Sequence, residues 1–595
     1  MARHWAKSLP VMRMPSLVSA VLAVLALAFT PAAAEPDRPQ AMVSAANPHA
    51  VEAGLKVLRE GGSAADAAVA VQATLGLVEP QSSGLGGGAF LVYYDAKSRE
   101  LTYYDGRETA PAGASAGLWL DEQGKPLPFR EAVVSGRATG VPGAIPMLAL
   151  AQREHGKRPW KSLFGHAIGL AEAGFVVSPR MSRMINGASP QATRPDVTAY
   201  FRNPDGTRMK AGDRLSNPAY ARTLKRLAAD PRALHHGPIA AAIVAKVREE
   251  PRPGTLTLAD LDAYRPQKGE AVCGNYRVYI VCTAGPPSSG AALLEGLGIL
   301  ERTDIAERGP ADPQAWYLFA EASRLMYADR DAYFADPSTI TVPLGGLLDP
   351  AYLDARARLI GPRAGPPPAP GRPKGAPAVG KDATQEVPGT SSFVVVDRDG
   401  NVASMTTTVE SIFGTGRMAE GFFLNNQLTD FSFAPVDPTG KPAANAPGPG
   451  KRPRSSMSPV IVLDRDGRFV AALGSPGGNA ILAYNLKALV GVLDWELSMQ
   501  QAIDLPNLIA RGETFSGEAA KFAPGVVEGL AARGVTVTAG RGEDSGLHGI
   551  MVRGGTLEGG ADPRREGVAR GLSPAARAAA PAGRHWLPPA RRAAG

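Results

Sequence analysis

The sequence predicts an α+β protein in which a largely helical region and a strand-rich region meet at a proline-rich segment. Helical patterns follow residue 47 and dominate the region from about 140 to 350. The segment 361–389 contains eight prolines, which predicts an extended, mobile linker without a core element. After the linker, apolar β-branched runs alternate with Asp-Gly turns, a pattern typical of antiparallel hairpins.

The N-terminus has the pattern of a secretory signal peptide. Three basic residues precede the apolar run 17–29, and Ala32-Ala33-Ala34 follows it, which predicts cleavage after Ala34. The alternative is a membrane anchor, but a bilayer span needs about 20 apolar residues and this run is shorter. No later stretch is long and apolar enough to span a membrane. We therefore expect an exported protein, periplasmic or secreted, without a membrane partner once the signal peptide is removed.

The net charge gives no argument for nucleic-acid binding. The formal charge of +8 comes mostly from the two ends, because 1–34 carries three basic residues and 571–595 carries four arginines, with no acid in either. The remainder is almost neutral, so no nucleic-acid partner is expected. The Ala/Pro/Arg-rich segment 571–595 is expected to be a disordered tail.

The cysteines and histidines do not form a metal-binding pattern. Cys273 and Cys282 are nine residues apart around a predicted Gly274-Asn275 turn, and an exported protein could either join them or leave them free. Neither cysteine has the spacing of a metal site, and the eight histidines are scattered. We expect no metal and no cofactor.

Two helices and a strand are predicted before residue 100. Asn47 is a plausible N-cap for a helix that ends at Gly61-Gly62, and a second helix rich in small residues follows. The loop 84–88 lacks the spacing of a phosphate-binding loop, so we interpret it as a tight turn into the strand 89–94.

Two hairpins are predicted after the linker, each around an Asp-Arg-Asp-Gly turn. The first pairs 392–396 with the strand VASMTTTV, and the second pairs PVIVL with RFVAAL. The repeated device predicts an antiparallel sheet, and ILAYNLKALVGVL predicts a helix after it.

The junction between linker and strand raises a chemical hypothesis. If the Gly389–Thr390 bond were cut, Thr390 would carry a free α-amine with a pKa near ~8, able to act as the base for its own hydroxyl. Gly389 leaves its carbonyl open to attack by that hydroxyl. A Gly-Thr pair before a strand is usually an ordinary junction, so the hypothesis depends on the residues that accompany it.

Other polar residues have both functional and ordinary interpretations. Gly477-Gly478 follows a strand and could form an oxyanion hole or a simple turn. Ser455-Ser456 could bind a ligand or cap a turn, and Arg107 could bind a carboxylate or form a surface ion pair. Glu410 and Asp430 could hold an ammonium group.

The sequence resembles the gamma-glutamyltransferases (gamma-glutamyl transpeptidases, glutathione hydrolases), which are N-terminal-nucleophile hydrolases. The resemblance covers about residues 40 to 565 and is carried by GGSAADAAVAVQATLGLVEPQSSGLGGGAF, YDGRETAPA, PPSSGA, GTSSFVVVDRDGNVASMTTTVESIFGTG, FLNNQLTDFS, GKRPRSSMSP and GSPGGNA. It implies a four-layer αββα sandwich and a precursor that cuts itself before Thr390. The products would be a large subunit, 35–389, and a small subunit, 390–570 plus the tail, which stay associated.

The resemblance also implies roles for particular residues. Thr390 matches the nucleophile, Thr408 the threonine that supports its amine, and Gly477 and Gly478 the oxyanion hole. Positions that bind the substrate α-carboxylate are matched by Arg107, Ser455 and Ser456, and those around the α-amino group by Glu410, Gln427 and Asp430. The implied donor is glutathione or a similar γ-glutamyl compound, and the acceptor is water or the amine of an amino acid or peptide.

Two departures keep alternatives open. Ser392 stands where the family often has histidine, and the segment 431–450 has no tyrosine of the kind that covers the site in some members. A glutaryl or cephalosporin acylase of the same fold is one alternative, although it would not need an ammonium pocket. A poly-γ-glutamate hydrolase is another, and a protein of a different class, an uncleaved and non-catalytic binding protein, is the third.

Overall fold

Two large antiparallel sheets form the centre of the molecule. A computed structural model of the uncleaved chain describes residues 40–385, 387–540 and 545–572. The predicted signal peptide and the tail from residue 573 lie outside these described residues.

The larger sheet combines strands from both sides of the proline-rich segment. Its seven strands have the spatial order Val568–Leu572, Ala41–Ala45, Ser391–Val396, Val402–Thr408, Gly88–Asp95, Glu100–Gly106 and Gln267–Glu270. The hairpin predicted after the linker therefore lies in the middle of the sheet, between strands from the N-terminal region.

The second sheet contains the other predicted hairpin. Its six strands have the order Thr556–Ala561, His548–Arg553, Phe469–Gly474, Val460–Leu463, Tyr279–Thr283 and Val272–Tyr276. Shorter pairings join Met418–Ala419 with Phe422–Phe423, Phe175–Val176 with Arg214–Leu215, and Leu508–Arg511 with Thr514–Gly517 and Thr538–Ala539.

The two sheets pack face to face between two layers of helices. In the strand Gly88–Asp95, Phe90 and Val92 belong to the core between the sheets, whereas Leu91 and Tyr93 belong to the core against helices. A strand buried on both faces explains why its sequence is apolar without alternation. The architecture is the four-layer αββα sandwich that the resemblance implies.

The helices divide between the outer faces of the two sheets. Those in the core of the seven-stranded sheet include Pro48–Arg59, Ala64–Val78 and Ala144–His155, and those in the core of the six-stranded sheet include Gly290–Glu301, Pro313–Tyr333 and Ile481–Leu493. The other α-helices are Phe129–Ala132, Gly165–Ala173, Pro179–Ile185, Pro195–Tyr200, Pro218–Ala229, Gly237–Val247, Leu258–Ala263, Leu344–Leu347, Pro350–Ala357, Met499–Asp504 and Val526–Ala532. None of the described helices has the length and apolar character needed to cross a bilayer.

Several local predictions are confirmed. Asn47 caps the helix Pro48–Arg59 by accepting a hydrogen bond from the His49 N–H group. The predicted second helix forms as Ala64–Val78, and the structure adds a capping box between Ser63 and Asp66 at its start. Both Asp-Arg-Asp-Gly hairpins form.

Three other expectations need correction. The two hairpins belong to different sheets, and the region 140–350 contributes three strands to them, Gln267–Glu270, Val272–Tyr276 and Tyr279–Thr283. Gly274-Asn275 lies within a strand, and the turn falls at 277–278, where Arg277 has a φ of 56°. Cys273 and Cys282 are therefore directly opposite each other, and they form a disulfide.

The proline-rich segment lacks helix and strand over its described part, as its composition predicts. It is nevertheless anchored before the junction, because Asp382 forms an ion pair of 2.7 Å with Arg454 and the Ala383 N–H group donates to Ser432 Oγ. Its mobility stays a prediction. The predicted start of the tail at 571 is two residues too early, because Val568–Leu572 is a strand of the larger sheet.

Candidate active site

Thr390 immediately precedes a central strand of the larger sheet. The strand Ser391–Val396 is buried throughout and is hydrogen-bonded to a neighbour on each side. Thr390 itself is only 5% exposed, and its N–H group donates to Ser82 O at 3.1 Å. Because the strand is held on both sides, the position of Thr390 is fixed with respect to the rest of the sheet.

The side chain of Thr390 faces a second threonine. The Oγ atoms of Thr390 and Thr408 are 2.9 Å apart, and Thr408 Oγ also accepts from the Glu410 N–H group at 2.7 Å. The φ angle of Thr390 is 81°, which is unusual for a β-branched residue. Such a conformation costs about 1–3 kcal/mol. At a positive φ the carbonyl group of the preceding residue, Gly389, lies close to the Thr390 side chain. Cleavage of the Gly389–Thr390 bond would release this strain, because that carbonyl group would leave.

The residues before Thr390 fit closely between two parts of the site. A Cβ atom added to Gly389 would lie 1.6 Å from Glu410 O, so no larger residue fits there without a backbone shift. A Cβ atom on Gly478 would lie 2.6 Å from Val387 O. The segment 387–389 therefore runs between Glu410 and Gly478 and leads directly into Thr390.

Gly389→Ala is expected to slow cleavage of the chain at least about ten-fold, because the added methyl group pushes the scissile bond away from Thr390 Oγ. The measurement is the time course of the small chain on denaturing gels after purification at low temperature. Gly365→Ala is the matched control, since Gly365 lies in the same segment and has no atom within 4 Å of its Cβ position. A Gly389→Ala chain that is cleaved as fast as wild type would contradict the expectation.

A buried cation lies next to this junction. Arg107 is 0% exposed, and its Nη2 donates to Asp430 Oδ2 and to Arg454 O, both at 2.6 Å. Its Nε donates to Pro453 O at 3.0 Å, and Gln427 Nε2 donates to Asp430 Oδ2 at 2.7 Å. The site thus holds a fixed guanidinium beside a carboxylate, which together can bind a zwitterion.

Two serine hydroxyls lie on the loop that follows Arg454. The backbone of Ser455 is fixed by its N–H group, which donates to Pro287 O at 2.9 Å, and its Oγ accepts from the Met457 N–H group at 3.1 Å. Ser456 Oγ accepts from Arg330 Nη2 at 2.6 Å. Both serines are therefore held in place by hydrogen bonds to the chain around them.

Glu410 completes the site as a second buried acid. Its Oε2 accepts from Asn426 Nδ2 at 2.6 Å, and Ser411 Oγ also donates to this oxygen. Burial, and next the negative charge of Asp430, raise the pKa of Glu410 well above its usual value. Two carboxyl groups that repel each other in this way would gain from a cation between them.

One small cavity, of about 20 Å³, brings nearly all the predicted residues together. It is lined by Arg107, Thr390, Thr408, Glu410, Gln427, Asp430, Ser455, Ser456 and Gly478, with Val387, Met457 and Ile481. Gly477 precedes Gly478 with a φ of 134° and caps the short helix Gly478–Ala480. In the uncleaved chain Val387 occupies one wall, which leaves the cavity room for little more than one water molecule.

Sequence reasoning missed two residues that contact the backbone of Thr390, Arg565 and Ser82. Arg565 Nη1 donates to Thr390 O at 2.8 Å, and Ser82 accepts from the Thr390 N–H group. Asn426, which holds Glu410, was also missed. The charged run Asp562-Pro563-Arg564-Arg565-Glu566 precedes the last strand of the sheet, but it does not indicate a contact with the Thr390 carbonyl.

The fold and the site define a class of protein. A hydroxyl residue at the start of a central strand in an αββα sandwich, preceded by glycine and facing a second hydroxyl, is typical of N-terminal-nucleophile hydrolases. The sequence also matches the family Gamma-glutamyltranspeptidase over residues 50–572. The chain belongs to this family.

Individual relatives agree with this assignment. The chain is 36% identical over 557 residues to a glutathione hydrolase proenzyme of Bacillus subtilis (strain 168), covering 89% of this chain and 91% of the relative. It is 34% identical over 547 residues to the acylase ACY 1 proenzyme of Pseudomonas sp. (strain V22), covering 89% and 93%. The crystal structure of cephalosporin acylase from Bacillus halodurans superposes with a TM-score of 0.79 at 25% identity, covering 90% of this chain and 96% of that structure.

Proposed function

We propose that this chain is an exported, self-processing γ-glutamyltransferase that also hydrolyses γ-glutamyl amides such as glutathione. The observation that carries the proposal is the single cavity in which the Thr390–Thr408 pair adjoins a buried arginine, two serines and two acids. Such a cavity can grip an amino-acid head group and present the side-chain amide beyond it to a hydroxyl nucleophile. The basic, apolar N-terminus supports export.

Maturation begins with Thr390 Oγ. The hydroxyl attacks the carbonyl carbon of Gly389, the C–N bond breaks, and an ester joins Gly389 to Thr390 Oγ while the nitrogen becomes a free amine. Water then hydrolyses the ester, so that the large subunit ends at Gly389 and the small subunit begins at Thr390. Cleavage frees the segment 387–389 from the cavity wall and gives the nucleophile its own base.

The catalytic cycle repeats this chemistry on a substrate. The α-amine of Thr390 takes the proton of Oγ, directly or through water, and Oγ attacks the γ-amide carbon of the donor. The N–H groups of Gly477 and Gly478 stabilise the tetrahedral oxyanion. The amine of the donor leaves with a proton, and the resulting γ-glutamyl ester passes to water or to an acceptor amine.

The head group is held by complementary charges. Arg107, Ser455 and Ser456 bind the α-carboxylate, and Gln427 with the acids Glu410 and Asp430 binds the α-ammonium group. Substrate binding also favours ionisation of Glu410, because an ammonium between Glu410 and Asp430 removes the repulsion that raises the Glu410 pKa.

The main rival is a glutaryl or cephalosporin acylase, in keeping with the acylase named among the relatives. A glutaryl donor has no α-amino group, so no ammonium lies between Glu410 and Asp430 to relieve their repulsion, which costs binding energy. We therefore expect kcat/KM for γ-glutamyl-p-nitroanilide to exceed that for glutaryl-p-nitroanilide by at least about 100-fold. Release of p-nitroaniline by the purified, processed protein measures both values.

Each rival has a distinct outcome in this assay. Faster release from the glutaryl compound would indicate an acylase. Weak release from both anilides with rapid degradation of poly-γ-glutamate would indicate a hydrolase of the polymer, for which the missing tyrosine in 431–450 leaves room. A chain that stays uncleaved and releases nothing would indicate a binding protein.

A further inference from the structure

Thr390 is held by Arg565, a residue of the small subunit that does not line the cavity. Arg565 is 7% exposed, its Nη1 donates to Thr390 O at 2.8 Å, and its Nε donates to Ser545 O at 3.1 Å. The carbonyl that Arg565 contacts belongs to the peptide bond after Thr390. Cleavage before Thr390 therefore leaves this contact intact, since both residues stay in the same subunit.

The nitrogen of Thr390 is held by a loop of the large subunit. Ser82 O accepts from the Thr390 N–H group at 3.1 Å, and Ser82 Oγ accepts from both Nη atoms of Arg180 at 3.2 Å. Arg180 forms a buried ion pair of 3.0 Å with Glu79, and Ser391 Oγ donates to the other oxygen of Glu79 at 3.0 Å. A buried polar network thus fixes the acceptor of the nitrogen that becomes the α-amine.

These two contacts fix the backbone on both sides of the Thr390 Cα atom. After cleavage, the new N-terminal residue could rotate about its Cα–C bond, and this rotation would carry the amine and Oγ together away from Thr408 and the cavity. A hydrogen bond to the carbonyl oxygen restricts rotation about the Cα–C bond, and the Ser82 carbonyl gives the amine a fixed acceptor. Positioning of this kind determines the rate at which a bound nucleophile reacts.

We propose that Arg565 is a positioning residue for the nucleophile: it holds the Thr390 carbonyl oxygen so that Thr390 Oγ and the new α-amine, which is held on Ser82 O, both stay directed into the cavity. Arg565 does not touch the substrate. The inference rests on the proposed function, and it adds a residue that acts on Thr390 without lining the head-group pocket.

The test compares two ligands of the processed enzyme. One is glutamate, which needs only the head-group pocket. The other is a glutamate analogue with a boronic acid in place of the γ-carboxyl, which forms a tetrahedral adduct with Thr390 Oγ. We expect Arg565→Gln to weaken inhibition by the boronic acid at least about ten-fold, because a charge-assisted hydrogen bond is lost, and to change inhibition by glutamate less than two-fold. In Arg565→Gln, kcat should fall together with the affinity for the boronic acid.

Arg565→Lys and Arg564→Gln complete the design. The lysine can still donate to a carbonyl, so Arg565→Lys should restore boronate inhibition in part. If Arg565→Gln stays unprocessed, the two inhibition constants are compared between Arg565→Lys and wild type instead. Arg564 is the adjacent arginine and pairs with Glu518 at 2.5 Å without contacting Thr390. Arg564→Gln should lower the Tm and leave the ratio of the two inhibition constants unchanged. An inhibition constant describes only the enzyme molecules that are folded and active. A smaller folded fraction therefore changes neither of the two inhibition constants.

Three results would overturn the inference. They are parallel changes of both inhibition constants in Arg565→Gln, unchanged constants in both Arg565 variants, or the same change of ratio in Arg564→Gln. A wild-type enzyme that neither turns over γ-glutamyl anilide nor binds the boronic acid would instead refute the proposed function. The two failures are therefore distinguishable in one set of measurements.

Discussion

Thr390→Ala is expected to leave the chain in one piece and without activity. The variant lacks the Thr390 hydroxyl that the proposed cleavage requires, so neither the ester nor the free α-amine can form. Loss of a covalent nucleophile typically lowers kcat by at least about 10⁴-fold. Intact-mass measurement of the purified protein, with sequencing of the N-terminus of any small chain, checks both the cleavage and its position.

The neighbouring threonines supply the controls. Thr390→Ser keeps a hydroxyl and should be cleaved, more slowly, with a new N-terminus at residue 390. Thr408→Ala removes the hydroxyl that lies 2.9 Å from Thr390 Oγ and should slow cleavage strongly. Thr407→Ala is the matched control: Thr407 is equally buried on the same strand, but side chains alternate along a strand, and its Oγ contacts Gly88 O instead.

A small chain that still appears in Thr390→Ala, beginning at residue 390, would show that another protease makes the cut. Self-processing would then be wrong, although Thr390 could still be the nucleophile of the mature enzyme. Incubation of the uncleaved variant with wild-type enzyme tests whether cleavage can occur between molecules. We expect none, because the Gly389–Thr390 bond is buried against its own site.

The local features of this fold could be predicted from the sequence, because each depends on neighbouring residues. The cap at Asn47, the two Asp-Arg-Asp-Gly turns and the Gly389-Thr390 junction are examples. The assignment of the hairpins to sheets could not be predicted this way, since it depends on pairings such as that of Ala41–Ala45 with Ser391–Val396. Residues more than 300 positions apart meet there, and no periodic pattern encodes such a pairing.

The strands Gln267–Glu270 and Val272–Tyr276 were missed for a related reason. Both are edge strands of their sheets with mostly exposed or half-buried residues, so they lack the apolar alternation that marks a buried strand. The Gly274-Asn275 pair then indicated a turn three residues too early. Arg277 takes the left-handed conformation there, which residue type alone would not predict.

The site residues were found mainly because the family motifs identify them, and their contacts explain the motifs. Arg107 and Asp430 are 323 positions apart in the chain, yet they form an ion pair of 2.6 Å. Arg565 was missed because it supports Thr390 through a backbone carbonyl, and such a contact depends on position and leaves no chemical pattern in the sequence.

The second large effect is expected at the head-group pocket. Arg107→Gln should lower kcat/KM for γ-glutamyl-p-nitroanilide by about 10²- to 10³-fold, because breaking a buried ion pair costs about 3–5 kcal/mol. Asp430→Asn should have an effect of similar size. Each change removes a contact with the substrate and also leaves the other member of the Arg107–Asp430 ion pair without its partner. Neither value alone therefore identifies which group of the substrate each residue binds.

Substrates that lack one charged group resolve this ambiguity. The anilide of 4-aminobutyrate lacks the α-carboxylate, and the glutaryl anilide lacks the α-amino group. If Arg107 binds the carboxylate, Arg107→Gln should lower kcat/KM for the aminobutyryl anilide less than ten-fold and that for the glutaryl anilide by the full amount. Asp430→Asn should show the opposite selectivity.

Arg417→Gln provides the control for loss of a buried arginine. Arg417 is 1% exposed and donates to the backbone carbonyls of Lys246, Glu249 and Pro251, away from the cavity. Its loss should lower stability while the ratios among the three anilides stay constant. If Arg107→Gln lowered the rates of all three anilides equally, Arg107 would support the fold of the site without binding the carboxylate. The charged grip on the α-carboxylate would then have to come from another residue.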